Sequence, residues 1–139
     1  MTLLRKFCAL NSEERCLLLR TVLVVACLRA ALSLSSLVQL KDYLARRAVR
    51  HTIPHDVPVA QLVWAVRAAV AYIPRATCLT QVLAAKYQLE RSGRRGRIHI
   101  GVAKNKHNGK FLAHAWLECE GETVIGGGGD GYARLITVD

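Results

Sequence analysis

The spacing of apolar residues changes period once along this chain, at Gly93 and Gly96, and that change restricts the fold more than any other feature. Upstream, apolar side chains recur at helical intervals; downstream, Ile98, Ile100 and Val102 alternate with Arg97, His99 and Gly101, the two-residue period of a half-buried strand. Helices first and an antiparallel meander last give an α+β fold. A chain of 139 residues has room for one ordinary domain and too little for two well-buried ones. We therefore expect one compact domain, with residues 1–50 a helical segment packing on a core formed by residues 51–139.

The helical half divides at recognisable punctuation. Asn11 or Ser12 caps a helix whose first turn holds Glu13 and Glu14, where the macrodipole favours acids, and which runs to about Ser33. Ser35 or Ser36 starts a second, with Leu37, Leu40, Leu44 and Ala48 a turn apart. Residues 51–58, with two prolines, read as a connector. Asp56 and Pro58 signal a third helix bearing Val59, Leu62, Val63, Val66 and Val70, and Cys78 to Arg91 forms a fourth. This last helix is apolar over a wide arc through Leu79, Val82, Leu83, Ala85 and Leu89, which makes it central. Asn108-Gly109 turns the chain into a strand from Phe111 to Cys119, Glu120-Gly121 into one from Glu122 to Ile125, and a glycine loop at 126–131 precedes a last strand near Ala133 to Val138.

Composition excludes several classes. Apolar residues at 52% and charged residues at 22% exclude a disordered chain. Five cysteines, an odd number without a CxxC pair, argue against a disulfide framework and a zinc ribbon and fit a reducing, cytoplasmic setting. No signal peptide is read, because Glu13, Glu14 and Arg15 interrupt the first apolar stretch. Thr21 to Leu40 comes nearest to a membrane span; Arg29 near its middle would cost about 2.5–3.5 kcal/mol, so we read a buried helix followed by a break, without membrane contact. The net charge of +10 admits an acidic partner, yet the sequence has no aromatic RNA-binding pair, zinc site or recognition-helix motif, and no nucleic-acid partner is expected. The arginines at 91, 94, 95 and 97 read as a solvated corner; the sharper reading docks an acidic leader or partner protein there or at Arg46, Arg47 and Arg50. Trp64 and Trp116 are assigned to the core.

Cys78 is the candidate nucleophile. The first turn of a helix offers unpaired N–H groups and the positive end of the macrodipole, which favour a thiolate and could hold the oxyanion of a tetrahedral intermediate. Cys8, Cys16, Cys27 and Cys119 are read as small buried hydrophobes. Among five histidines, His114 lies in the most strongly patterned strand, Ala113-His114-Ala115-Trp116, where flanking alanines admit a close helix. Together they would form a Cys–His arrangement of the papain kind; His51, His55, His99 and His107 are read as structural.

The stretches Ala76-Thr77-Cys78-Leu79-Thr80-Gln81-Val82-Leu83-Ala84-Ala85, Ile100-Gly101-Val102-Ala103-Lys104, Ala113-His114-Ala115-Trp116-Leu117-Glu118 and Val124-Ile125-Gly126-Gly127 together resemble the leader peptidases of lasso-peptide biosynthesis, from about Trp64 to the C-terminus. The resemblance implies a transglutaminase-like, papain-related fold. It also implies a cysteine protease that removes the leader from a ribosomally made precursor, with Cys78 as nucleophile and His114 as base and acid. A separate leader-binding protein would deliver the precursor, and an asparagine-synthetase-like cyclase would take the product. Peptide hydrolysis itself needs neither metal nor cofactor. Relatives orient the histidine with an Asp on the following strand; a tight turn at Glu120-Gly121 would place Gly127 opposite His114, where an Asp is missing. Asp130 is the first substitute, a water or backbone carbonyl the second, and Glu118 the third. Two other functions remain on the same residues: a Cys–His acyl transferase that passes its acyl group to an amine, and a non-catalytic basic binding module.

Overall fold

The computed structural model describes residues 3–48, 53–127 and 131–139. The fold is α+β, with helices α1 (Leu3–Cys8), α2 (Ser12–Leu34), α3 (Leu37–Ala48), α4 (Val59–Val70) and α5 (Cys78–Arg91), then strands β1 (Gly96–Lys104), β2 (Phe111–Cys119), β3 (Glu122–Ile125) and β4 (Ala133–Val138). The break between helices and strands falls at Gly93–Gly96, where the apolar period changes. The six-residue α1 has no counterpart in the sequence reading, because so short an apolar run carries no period.

Local chemistry sets the ends. Asn11 closes a capping box on α2: its side chain accepts from the Glu14 N–H at 2.8 Å, and the Glu14 carboxylate accepts from the Asn11 N–H at 3.1 Å. Pro58 precedes α4 without a side-chain cap. The β2–β3 turn is tight because Glu120 and Gly121 both take positive φ, 54° and 83°.

The core runs through every layer, with Leu18, Val25 and Leu28 of α2, Leu40 of α3, Leu62 and Val66 of α4, Val82, Leu83 and Leu89 of α5, and Ile98, Ala115, Leu117 and Ile125 of the sheet. Helix α5 is central: it packs on α2, α3 and α4 and on β1, β2 and β3, and Val82 to Leu89 are buried without interruption. Helix α2 is long and apolar enough to cross a membrane by length and composition. One face of it is buried at Leu18, Thr21, Val25 and Leu28, while Leu19, Leu23 and Leu34 are exposed. Trp116 is buried, but Trp64 is 36% exposed, because its position on α4 falls outside the buried stripe of Leu62, Val63, Ala65, Val66 and Ala69.

The sheet is not a meander. Its order is β3-β2-β1-β4, so the last strand crosses to the far edge and pairs with β1. Alternation along β2 divides its residues between two faces. Ala115, Leu117 and Cys119 join the helix-side core; His114, Trp116 and Glu118 share the opposite face.

Candidate functional site

Cys78 is the first residue of α5, and Thr77 is the N-cap, its hydroxyl accepting from the Thr80 N–H at 3.3 Å. Gln81 N–H reaches the Thr77 carbonyl. The N–H groups of Cys78 and Leu79 therefore lack acceptors within the helix, which is the donor pair that oxyanion stabilisation needs. Cys78 is half-buried against the core, while Cys119 is buried and burial pushes its thiol pKa up. Cys8, Cys16 and Cys27 are exposed, where burial was expected, because Cys8 ends the short α1 and Cys16 and Cys27 fall outside the buried stripe of Leu18, Thr21, Val25 and Leu28 on α2.

Helix α5 packs on β1 and on β2, the strand that carries His114, and for a helix lying along β1 the spacing sets His114 near the level of Cys78. A Cβ placed on Gly96 would lie 3.6 Å from Lys86 Cα, which fixes where α5 meets β1. From Lys86 back to Cys78 the helix rises about 12 Å. The same distance along β1 from Gly96 ends near Ile100 at ~3.3 Å per residue. Gly101, the next residue, pairs with His114. Among the described residues no hydrogen bond joins Cys78 to His114, whose ring lies on the other face of β2, 6.2 Å from the Trp116 ring and 5.1 Å from that of Tyr132.

His114 is oriented by a backbone carbonyl. Its Nε2 bonds the Gly126 carbonyl, and because a carbonyl only accepts, Nε2 carries the hydrogen and Nδ1 of the neutral ring keeps the lone pair a general base uses. Gly126 is required there: φ is 91°, and a Cβ would stand 2.6 Å from the Ala115 carbonyl oxygen and 2.8 Å from Trp116 Cα. The expected pairing of His114 with Gly127 does not form. Cys119 does pair with Glu122, but a bulge between Leu117 and Glu118 shifts the register and β3 ends at Ile125, so the chain reaches His114 by bending at Gly126.

Asp130 lies outside the described residues. Glu118 is placed against a different histidine: His99 Nε2 donates to it at 2.8 Å, Arg134 lies 3.7 Å away, and His99 Nδ1 meets the Thr137 hydroxyl at 3.0 Å. The hydrogen bond from His99 holds the Glu118 carboxyl below the usual range, helped by the charges of His99 and Arg134. This buried clamp joins β1, β2 and β4 over Trp116. Its signal in the sequence was split between the odd-numbered face of β1, with Arg97 and His99, and the even-numbered face of β2, with Trp116 and Glu118, which become one face only once Arg97 is known to pair with Glu118. No cluster of His, Cys, Asp and Glu suited to a metal is present among the described residues.

A sequence profile of the transglutaminase-like superfamily matches residues 18–137, from the first turns of α2 to the end of β4. No curated protein and no solved structure matches at a significant level. With most of its length covered, from the helices that support α5 to the strand that closes the sheet, the chain belongs to the transglutaminase-like superfamily.

Proposed function

We propose that this protein is a cysteine peptidase that removes the leader from a ribosomally made lasso-peptide precursor. What supports the reading is Cys78 in the N-terminal turn of α5, where the first N–H groups lack acceptors, together with a histidine on β2, a strand that α5 packs on, whose tautomer a carbonyl fixes. The superfamily includes cysteine peptidases and acyl transferases, and the sequence resemblance favours the peptidase.

In the proposed reaction His114 Nδ1 takes the Cys78 proton and the thiolate attacks the carbonyl at the leader–core junction. The N–H groups of Cys78 and Leu79 receive the oxyanion. The imidazolium then protonates the departing amine of the core, leaving the leader as a thioester. Water, activated by His114, hydrolyses it and restores the thiol. Catalytic contacts are often long without substrate and tighten in the complex. The reaction requires His114 to approach Cys78 around the margin of β2 that β3 leaves unpaired above Ile125. The Gly126 carbonyl fills the orienting position, and Asp130 is the further candidate for it. A separate leader-binding protein would present the precursor, an asparagine-synthetase-like cyclase would use the freed amine, and the setting would be a reducing cytoplasm.

Mass spectrometry of the precursor incubated with this protein and its leader-binding partner tests the reading. We expect cleavage at one bond, adding one water, lost in Cys78→Ala and reduced about a thousandfold in His114→Ala. An amine adduct in place of hydrolysis would assign an acyl transferase. Cleavage by Cys78→Ala at the parent rate would reject the mechanism. Partner affinity that falls with ionic strength is expected if the arginine clusters dock it.

A further inference from the structure

The face of the sheet that packs on α5 extends past the end of that helix. Along β1 and β2 it is buried at Ile98, Ala115 and Leu117, then opens at Val102, Ala113 and Phe111, the last 75% exposed. Val102 pairs with Ala113 and Lys104 with Phe111, so these residues lie about 7 to 13 Å beyond the Ile100 level of Cys78 at ~3.3 Å per residue. β4 adds Ile136, paired with Ile100 on the same face and 51% exposed. Two strands thus present an apolar surface beyond the nucleophile, on the side where the Cys78 and Leu79 N–H groups lack helix acceptors, and β4 widens it at the Ile100 level. Apolar surface gathered in this way marks a contact site. Its far rim is basic: Lys104, Lys106 and Lys110 are exposed in the β1–β2 hairpin, and residues 99–117 contain no Asp or Glu.

Resting on the peptidase reading, we infer that this surface is a substrate subsite: it receives an apolar side chain next to the scissile bond, and the hairpin lysines hold carboxylates a few residues further along the peptide. Continuity with Cys78 selects a substrate segment as the occupant, and the basic rim selects an acidic one. The rim also opposes a second copy of the same face, which would set lysines against lysines.

The test measures binding separately from chemistry. Fluorescein-labelled peptides of equal length, identical except for a central Leu-Glu-Glu, Ser-Glu-Glu or Leu-Lys-Lys, are titrated with the Cys78→Ala protein and followed by anisotropy. The first should bind about tenfold tighter than either other. Phe111→Ser and Ile136→Ser, at exposed positions, should erase the preference for Leu over Ser, and Lys104→Glu with Lys110→Glu the preference for Glu over Lys. Equal affinities, no binding of any peptide, or preferences unchanged in these variants would overturn the inference. So would a dimer in sedimentation that Phe111→Ser dissociates, since the surface would then belong to self-association. If the Leu-Glu-Glu peptide is bound with these preferences while the precursor, presented by its leader-binding partner, is left uncleaved when Cys78 is intact, the subsite stands and the peptidase reading fails.

Discussion

At the scale of single residues, the sheet holds two histidines in different ways, and the two should respond differently to substitution. His99 is enclosed, with both ring nitrogens occupied; His114 has one nitrogen held and one available. Glu118 serves the first. Its carboxyl is depressed in the folded protein, so its contribution is present above the ordinary carboxylate range and is lost as pH falls through the lower folded value. Thermal denaturation between pH 6 and pH 3 should show a fall in Tm toward acid that is shallower in Glu118→Gln, and at neutral pH that variant should lose about 1 kcal/mol. Turnover should persist in Glu118→Gln; a loss as severe as that of His114→Ala would mean that Glu118 acts on His114 after all. Gly126→Ala tests the other clamp. A Cβ cannot fit beside the Ala115 carbonyl, so the Gly126 backbone must move and release His114. We expect kcat to fall by more than tenfold with KM little changed, together with about 1–3 kcal/mol of lost stability.

At the scale of elements, α5 and β2 carry the two proposed site residues, Cys78 and His114, and both have ends that the sequence announces. Thr77 before Cys78 is an N-cap residue type, and the alternation from Phe111 to Cys119 defines a strand whose bounds the structure reproduces. Thr77→Ala should cost about 1 kcal/mol in chemical denaturation and Thr77→Ser much less, with activity following the cap because the same turn positions Cys78. The path of β4 was not legible. Local patterning gives a strand at Ala133–Val138 but not its neighbour, and β1 offers a free edge as readily as β3 does. The bulge at Leu117 and Glu118 was hidden for a related reason, since one extra residue in a ladder leaves the apolar pattern of a four-residue strand unchanged. Both features decide what faces His114, which is why Cys78 and His114 could be proposed from local pattern while the Gly126 carbonyl could be placed only from the ladder.

At the scale of the whole molecule, the question is whether α2 belongs to the unit that holds the site. Its buried face meets α4 and α5, and inside that contact Gln88 Nε2 of α5 donates to the Thr21 hydroxyl of α2 at 2.7 Å, with both side chains fully buried. Nothing but protein can satisfy those groups once α2 has docked, so separating α2 from α5 would expose an apolar face and strand a buried amide. Helix α2 should therefore unfold with the sheet. Leu28 is 2% exposed, and Leu28→Ala removes apolar volume from the centre of the contact, at a cost of about 2–5 kcal/mol. In a domain of this size that corresponds to a Tm lowered by roughly 10 °C. The measurement is thermal denaturation followed twice, by far-UV circular dichroism dominated by the helices and by the near-UV signal of Trp116, packed between His99 and His114. One cooperative unit predicts that both midpoints fall together. A far-UV midpoint that falls while the Trp116 signal stays in place would make residues 1–50 a separately folding segment, and cleavage would then survive destabilisation of α2.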